Sequence, residues 1–371
     1  MFHLAPLPPI TFGAGQAMTL ALPGTPRSVL LIADPVMRDL GMAERIAASL
    51  PCPCTIFSDI PGEPKAATLR AAVAAYHAAR ADVVIGLGGG SALDVAKITA
   101  NIAAGSGEPM DYALAAAPLP PRAAFTVMIP TTAGTGSELS ATNIFSGDTG
   151  EKLWIWGVET RPDLVVLDPE LTTSLPAALT AWCGMDAFVH AFEAMTNRNG
   201  TPATALFSEH AMRLIWRALP VAVAEPGNLT ARGEMLWASA LAGAAIDLSG
   251  TAMAHHLSHA LAGCAPVQHG LATALAFEAS LPWLIETPTP KMEAAARALD
   301  CAAADLPAKV SGLMDACGIN RALPAAFQGV TVAQAMTQAR LPGNMPMRVA
   351  TDRDVTDGDV ERLLGAVLGL A

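Results

Sequence analysis

Charge is scarce in this sequence. Of 371 residues, 15% are Asp, Glu, Lys or Arg, against about 25% in an ordinary soluble domain. Positive charge is the scarcer kind. The 22 Lys and Arg are outnumbered by 33 Asp and Glu, for a net charge of −11. A net-acidic chain has no electrostatic footprint for nucleic acid or for an anionic membrane surface. Long apolar runs are also missing, although the mean hydropathy is +0.39. A spanning helix needs about 20 predominantly apolar residues. The run at 83–87 meets glycines, the run at 125–129 meets Pro130, and the stretch 236–261 contains Asp247 and three His. No secretory signal is expected, because residues 1–12 hold no Lys or Arg and three Pro. A cytoplasmic location is the expectation. The six cysteines lack metal-site or redox spacing, their one close pair being Cys52 and Cys54. They are expected to be reduced and structural.

What is abundant is apolar content, 52% of the chain. That excludes disorder and demands a large core. The two halves differ in texture. From 28 to about 172, short apolar runs alternate with Ala-rich segments of helical period. Strands are expected at 28–33, 54–57, 82–87 and 125–129, and helices at 36–49, 66–80 and 91–104. Continuous apolar strands alternating with helices predict an α/β domain with a parallel sheet. From about 173 the strand signal stops. Ala-, Leu- and Met-rich segments, punctuated by Pro and Gly, predict an all-α second half. The domains are expected at 1–172 and 173–371, with the join near VVLDPELTTSL.

Two loops carry the first chemical signal. GLGGGS (86–91) follows the strand DVVIGL and opens a helix. Glycines let the backbone approach a phosphate, and a helix start offers unpaired N–H groups. The spacing is not GxGxxG, so a tight turn without ligand stays open. PTTAGTGSE (130–138) then follows the next strand and is dense in hydroxyls and glycine. Two such loops after consecutive strands favour a dinucleotide. Asp34 ends the first strand, where an acid pairs with ribose hydroxyls and repels a 2′-phosphate, favouring NAD over NADP. Its alternative role is that of a turn Asp before Pro35.

The second signal is a set of histidines and one acid. Asp186 and His190 are spaced i, i+4, as are His255 and His259, and His269 follows ten residues later. Such pairs share a helix face. Together they can bring imidazole and carboxylate ligands to one divalent metal. A lone helical His is usually a packed core residue. Several in a half so poor in polar groups would be costly to bury without a shared partner.

These motifs resemble those of the iron-containing (group III) alcohol dehydrogenases. The correspondence runs from ITFGAG through GGGSALDVAK, IPTTAGTGSE, RPDLVVLDPELT and GMDAFVHAFEA to AHHLSHALAG and QHG. The resemblance implies a Rossmann-like first domain, a helical second domain and an active site in the cleft. It implies Asp186, His190, His255 and His269 as metal ligands, with His259 beside nicotinamide and substrate. Gly90, Ser91, Thr131 and Thr132 match cofactor-contacting positions, and Gly89, Asp94 and Ser140 are counted with them. Asp34 matches the acid that favours NAD. Lys152 matches a lysine on the nicotinamide side, and Leu171, Thr172 and Leu175 match the interdomain segment that meets the cofactor. Relatives commonly form dimers, so a homodimer is expected. Two positions depart from the pattern. Glu63 stands where relatives usually carry Asn and is a candidate for the adenosine ribose, and His256 stands where relatives often carry Gly.

The expected reaction is hydride transfer between NAD and a small alcohol or aldehyde. Four protein ligands plus substrate suit Fe²⁺ better than four-coordinate Zn²⁺, which remains the alternative ion. His259 is the expected catalytic residue, as proton relay or as an orienter of the ligands. Residues 233–290 contain no Lys or Arg. A pocket for an anionic substrate normally supplies one, so a neutral or weakly polar substrate is expected. The competing expectation is a carboxylate-bearing substrate, as for maleylacetate reductases or hydroxy-acid dehydrogenases.

Overall fold

The structure is a computed structural model that describes residues 4, 6–148 and 150–369. The chain divides into two compact units. Residues 6–132 and 136–173 make up one. Residues 133–135, with the chain from Ser174 onward, make up the other.

The first unit is built on a parallel sheet. Its strands are β1 (Ile10–Phe12), β2 (Val29–Ala33), β3 (Cys54–Phe57), β4 (Val83–Gly88), β5 (Phe125–Pro130) and β8 (Leu164–Leu167), in the order β1-β8-β5-β4-β2-β3. Strands β2, β4 and β8 are buried along their whole length. Their VLLIA, VVIGLG and LVVL sequences read as unbroken apolar runs because both sheet faces are covered. Alternate residues serve opposite faces. Leu30, Ile32, Val84 and Met128 join a core with helices α3 (Ala66–Ala79) and α4 (Gly90–Ile102). Val29, Leu31, Ile85 and Val127 join a core with α1 (Pro35–Asp39) and α2 (Met42–Ser49). This is the α/β class the alternation predicts.

Three details differ from the expectation. The helix expected over 36–49 is two helices, separated at Leu40–Gly41, where Gly41 adopts φ +69°. An additional edge strand, β1, pairs with β8. The segment after 140 forms an antiparallel hairpin of β6 (Thr142–Ser146) and β7 (Lys152–Trp156). Its buried and partly buried residues alternate, the period-2 pattern of a sheet covered more deeply on one side.

The second unit has no strand among its described residues, as the texture predicts. Its helices are α5 (Ala177–Thr196), α6 (Pro202–Ala224), α7 (Leu229–Ser249), α8 (Met253–Ala262), α9 (His269–Leu284), α10 (Pro290–Ala298), α11 (Leu306–Ala316), α12 (Val332–Ala339), α13 (Met345–Ala350) and α14 (Asp357–Val367). Helix α5 is buried from Cys183 through Thr196. A helix buried on every side occupies the centre of its bundle. Phe192 on α5 meets Phe277 on α9 edge-on, with ring centres 4.9 Å apart. Such pairs add about 0.5–1.5 kcal/mol beyond the buried area, and this one holds α9 against α5. Among the described residues, no helix is long and apolar enough to cross a membrane.

Candidate metal centre and nucleotide loops

Helix α5 carries few polar side chains in its buried stretch, and they fall on one face. Asp186, His190 and Glu193 lie at i, i+4 and i+7, which is two helical turns. All three are at most 5% exposed. Helix α8 brings His255, and His269 is the first residue of α9. One backbone approach makes this possible. A Cβ on Gly270 would collide with the Trp182 carbonyl of α5, so only glycine lets the start of α9 come this near.

Asp186 Oδ1 lies 3.6 Å from His255 Nε2 and 3.5 Å from His269 Nε2. One ligand atom from each of the three residues falls within 4.8 Å of the others. Asp186 Oδ1 and His255 Nε2 are buried with no hydrogen-bond partner. Leaving such atoms unsatisfied costs several kcal/mol, and a cation facing both is the usual remedy. The donor set therefore fits a divalent ion. His190 is placed differently. Its Nδ1 is 3.2 Å from the Gly134 carbonyl and 3.9 Å from Asp186 Oδ2, and its ring stacks on His255 at 4.5 Å. His259 follows one turn after His255, 5.5 Å from the His269 ring.

The electrostatics also favour positive charge. Burial alone would push the Asp186 carboxyl up, but His190, His269 and His255 together bring it below the ordinary carboxylate range. Burial lowers His255, yet Glu193 and Asp186 outweigh it and hold the imidazole at about 9. Cys183, nearby on α5, is pushed up by burial to about 12.

Glu193 is the residue that sequence reasoning passed over. One carboxylate oxygen accepts from Ala254 N at 2.6 Å. The other accepts from Ala252 N and from His255 Nδ1, both at 2.7 Å. Its signal was present within GMDAFVHAFEA, at helical spacing from both Asp186 and His190.

The nucleotide motifs gather at the carboxyl ends of neighbouring strands in the first unit. The chain runs outward from β2 to β3, then returns to the other side of β2 with β4, so the strand order reverses between β2 and β4. Ligands of such sheets bind at that switch point. Asp34 follows β2, and its N–H donates to the Leu87 carbonyl of β4 at 2.8 Å. Gly88 has φ +152°, and a Cβ there would lie 2.7 Å from that of Asp34. Gly89 precedes α4 with no side-chain cap, so the N–H groups around Gly90 and Ser91 lack one. Thr131 N bonds the Gly88 carbonyl, and the Thr132 side chain lies 3.4 Å from where a Gly89 Cβ would be. Asp34, Gly89, Gly90, Ser91, Thr131 and Thr132 are thereby brought together. Asp34 also caps α1 through Val36 N.

Other expected cofactor residues are engaged internally. Asp94 is 6% exposed and accepts from the Ser137 hydroxyl and from Ile144 N. Lys97 is fully buried and donates to the carbonyls of Ser137, Ser140 and Thr142, while its ammonium is 3.3 Å from Asp94. The Ser140 hydroxyl accepts from Thr142 N. Lys152 lies 3.8 Å from Glu63, so these two side chains stand together. Leu171 and Thr172 are buried in a short 3₁₀ turn, with the Thr172 hydroxyl on the Pro169 carbonyl. Leu175 belongs to the second unit, where its carbonyl accepts from Thr180 and Arg232. His256 is fully buried, with Nδ1 on the Asn344 carbonyl.

The family model for iron-containing alcohol dehydrogenases matches residues 8–169, and the model for the C-terminal part of that family matches 180–366. The chain belongs to the iron-containing alcohol dehydrogenase family. Among members of this family, 1-propanol dehydrogenase PduQ of Citrobacter freundii is 36% identical over 254 residues, 68% of this chain. The matched part spans 65% of that relative's length. Long-chain-alcohol dehydrogenase 1 of Geobacillus thermodenitrificans is 32% identical over 77% of this chain and 74% of its own. In three dimensions, sulfoacetaldehyde reductase of Bifidobacterium kashiwanohense, solved with NAD⁺, superposes with a TM-score of 0.90 at 26% identity, covering 99% of both chains.

Proposed function

We propose that this member of the family is a metal-dependent, NAD-linked alcohol dehydrogenase and aldehyde reductase for small neutral substrates. The observation that carries the reading is the convergence of Asp186, His255 and His269, with the Asp186 and His255 ligand atoms left unsatisfied in a buried site. His190 completes the set. With Nδ1–H donating to the Gly134 carbonyl, its lone pair resides on Nε2. These four residues would hold Fe²⁺ or, in its place, Zn²⁺. When bound, the ion supplies Lewis-acid polarisation of the substrate oxygen, and the nicotinamide supplies hydride exchange.

The chain's own residues do the rest. Asp34 pairs with the ribose hydroxyls of NAD and repels a 2′-phosphate. The start of α4 and the hydroxyls of Thr131 and Thr132 receive the pyrophosphate. Asp94 and Lys97 act by shaping the 131–140 loop rather than by touching the cofactor. His259 exchanges a proton with the substrate hydroxyl through its imidazole.

Neutral substrates are favoured because the cations bordering 233–290 are already engaged. Arg232 is buried on Thr180 and the Pro226 carbonyl, and Lys291 holds the Asn197 carbonyl. One solved relative is named for an anionic aldehyde, sulfoacetaldehyde, which favours an acidic substrate as the second reading. A panel decides between them. NADH formation is measured with 1-propanol, longer primary alcohols and 4-hydroxybutyrate. The proposal expects kcat/KM for the neutral alcohols to exceed that for the acid by tenfold or more. The reverse order assigns the site to acidic substrates.

A further inference from the structure

Helix α8 starts without a cap of its own. Its N-cap position is Ala252, which has no side-chain acceptor, and no Ser, Thr, Asp or Asn stands there. In this protein the missing acceptor comes from another helix. Glu193 of α5 takes the N–H of Ala252 and of Ala254, one on each carboxylate oxygen. The oxygen that receives Ala252 also receives His255 Nδ1 at 2.7 Å. A single carboxylate thus ties down both the backbone and the ring of one ligand.

The consequence for His255 is a matter of tautomer and aim. A ring that donates from Nδ1 keeps its lone pair on Nε2 when neutral. Nε2 is the atom that faces Asp186 and has no hydrogen-bond partner. A carboxylate behind an imidazole also raises its strength as a ligand. Glu193 is 2% exposed, so water does not offer its donors a ready substitute.

We propose that Glu193 is a positioning residue of the metal centre: by capping α8 and gripping His255 Nδ1 together, it fixes the imidazole in the tautomer and direction in which Nε2 meets the ion. The inference rests on the metal-dependent reading above.

The test uses Zn²⁺ as the probe, in competition with a chromogenic chelator, on the full-length chain. Glu193→Gln is expected to weaken Zn²⁺ binding about 10- to 100-fold. The His255 Nδ1 proton of the Zn²⁺-loaded protein, followed by NMR, is expected to move upfield as its bond to the carboxylate is lost. A second variant separates the ring from the cap. Glu193→Gln combined with Ala252→Ser gives α8 an acceptor of its own, restoring the helix start while leaving the imidazole without its carboxylate. The weakened affinity is expected to persist in the double variant. Recovery of wild-type affinity there would mean that Glu193 acts only as a cap, and overturns the proposal. So would Zn²⁺ affinity within threefold of wild type in Glu193→Gln, or an unmoved His255 signal. Failure of the wild-type protein to bind Zn²⁺ or Fe²⁺ would instead remove the metal reading itself.

Discussion

Gly270 lies so close to the Trp182 carbonyl that no side chain can be placed between them. This contact sets the distance from α5 to the start of α9, and so from Asp186 to His269, the neighbour of Gly270 in sequence. Gly270→Ala must push α9 away from α5. The expected cost is about 1–3 kcal/mol of stability, with metal affinity falling further than a distant change of equal cost would produce. Thermal unfolding and Zn²⁺ titration on the same preparation check both.

Asp34 has two roles that one substitution can separate. Its side chain caps α1 at Val36 N, and its charge is assigned to the ribose. Asp34→Asn keeps a capping oxygen, so stability should hold, whereas Asp34→Ala should lose about 1 kcal/mol. Both variants should lose about tenfold or more in NAD preference over NADP, the worth of a hydrogen bond to a charged group. Steady-state kinetics with each cofactor, beside melting curves, give the answer.

Much of this arrangement was legible before the structure. Val83 to Gly88 reads as a buried strand because apolar residues run without alternation, and the glycines that follow mark its end. Asp186 with His190, and His255 with His259, are legible because helical spacing forces each pair onto one face. Glu193 escaped because nothing in local sequence says that α8 lacks a cap, or that the acceptor sits about 60 residues away on α5. The β6–β7 hairpin escaped because its alternation spans only five residues per strand, too short to stand out beside the apolar runs. Asp94 and Ser140 sit in motifs that resemble nucleotide contacts; in the structure the Asp94 carboxylate lies 3.3 Å from the Lys97 ammonium, and the Ser140 hydroxyl accepts from Thr142 N. Spacing along the chain does not reveal which neighbours a polar side chain takes.

Lys97 is the clearest case of a buried charge used to shape a loop. Lys97→Met fills the same space but leaves three carbonyls and Asp94 without their donor. Breaking a buried pair in this way costs about 3–5 kcal/mol. The variant should unfold at lower denaturant concentration. At temperatures where it remains folded, it should show a raised KM for NAD with less change in kcat.

Glu138 predicts a pH dependence. It is 1% exposed, one of its carboxylate oxygens has no hydrogen-bond partner, and burial pushes it up to about 7 from 4.5. Between those values the folded chain holds a proton that the unfolded chain has released. Stability therefore falls as pH rises through that window and levels off above about 7. The loss is on the order of 3 kcal/mol for a shift of this size. Glu138→Gln has no proton to lose, so its stability should fall less than that of the wild type between pH 5 and 7.5. Urea unfolding at several pH values measures the difference.

The central claim is that Asp186, His190, His255 and His269 hold one divalent ion without which the chain does not transfer hydride. Metal content and NADH formation from 1-propanol, measured on the same samples before chelation, after it and after reloading with Fe²⁺, test it most directly. The account predicts one ion per chain in active protein, loss of turnover in step with loss of the ion, and recovery on reloading, with Asp186→Asn failing at both. Undiminished turnover in protein stripped of metal would contradict it.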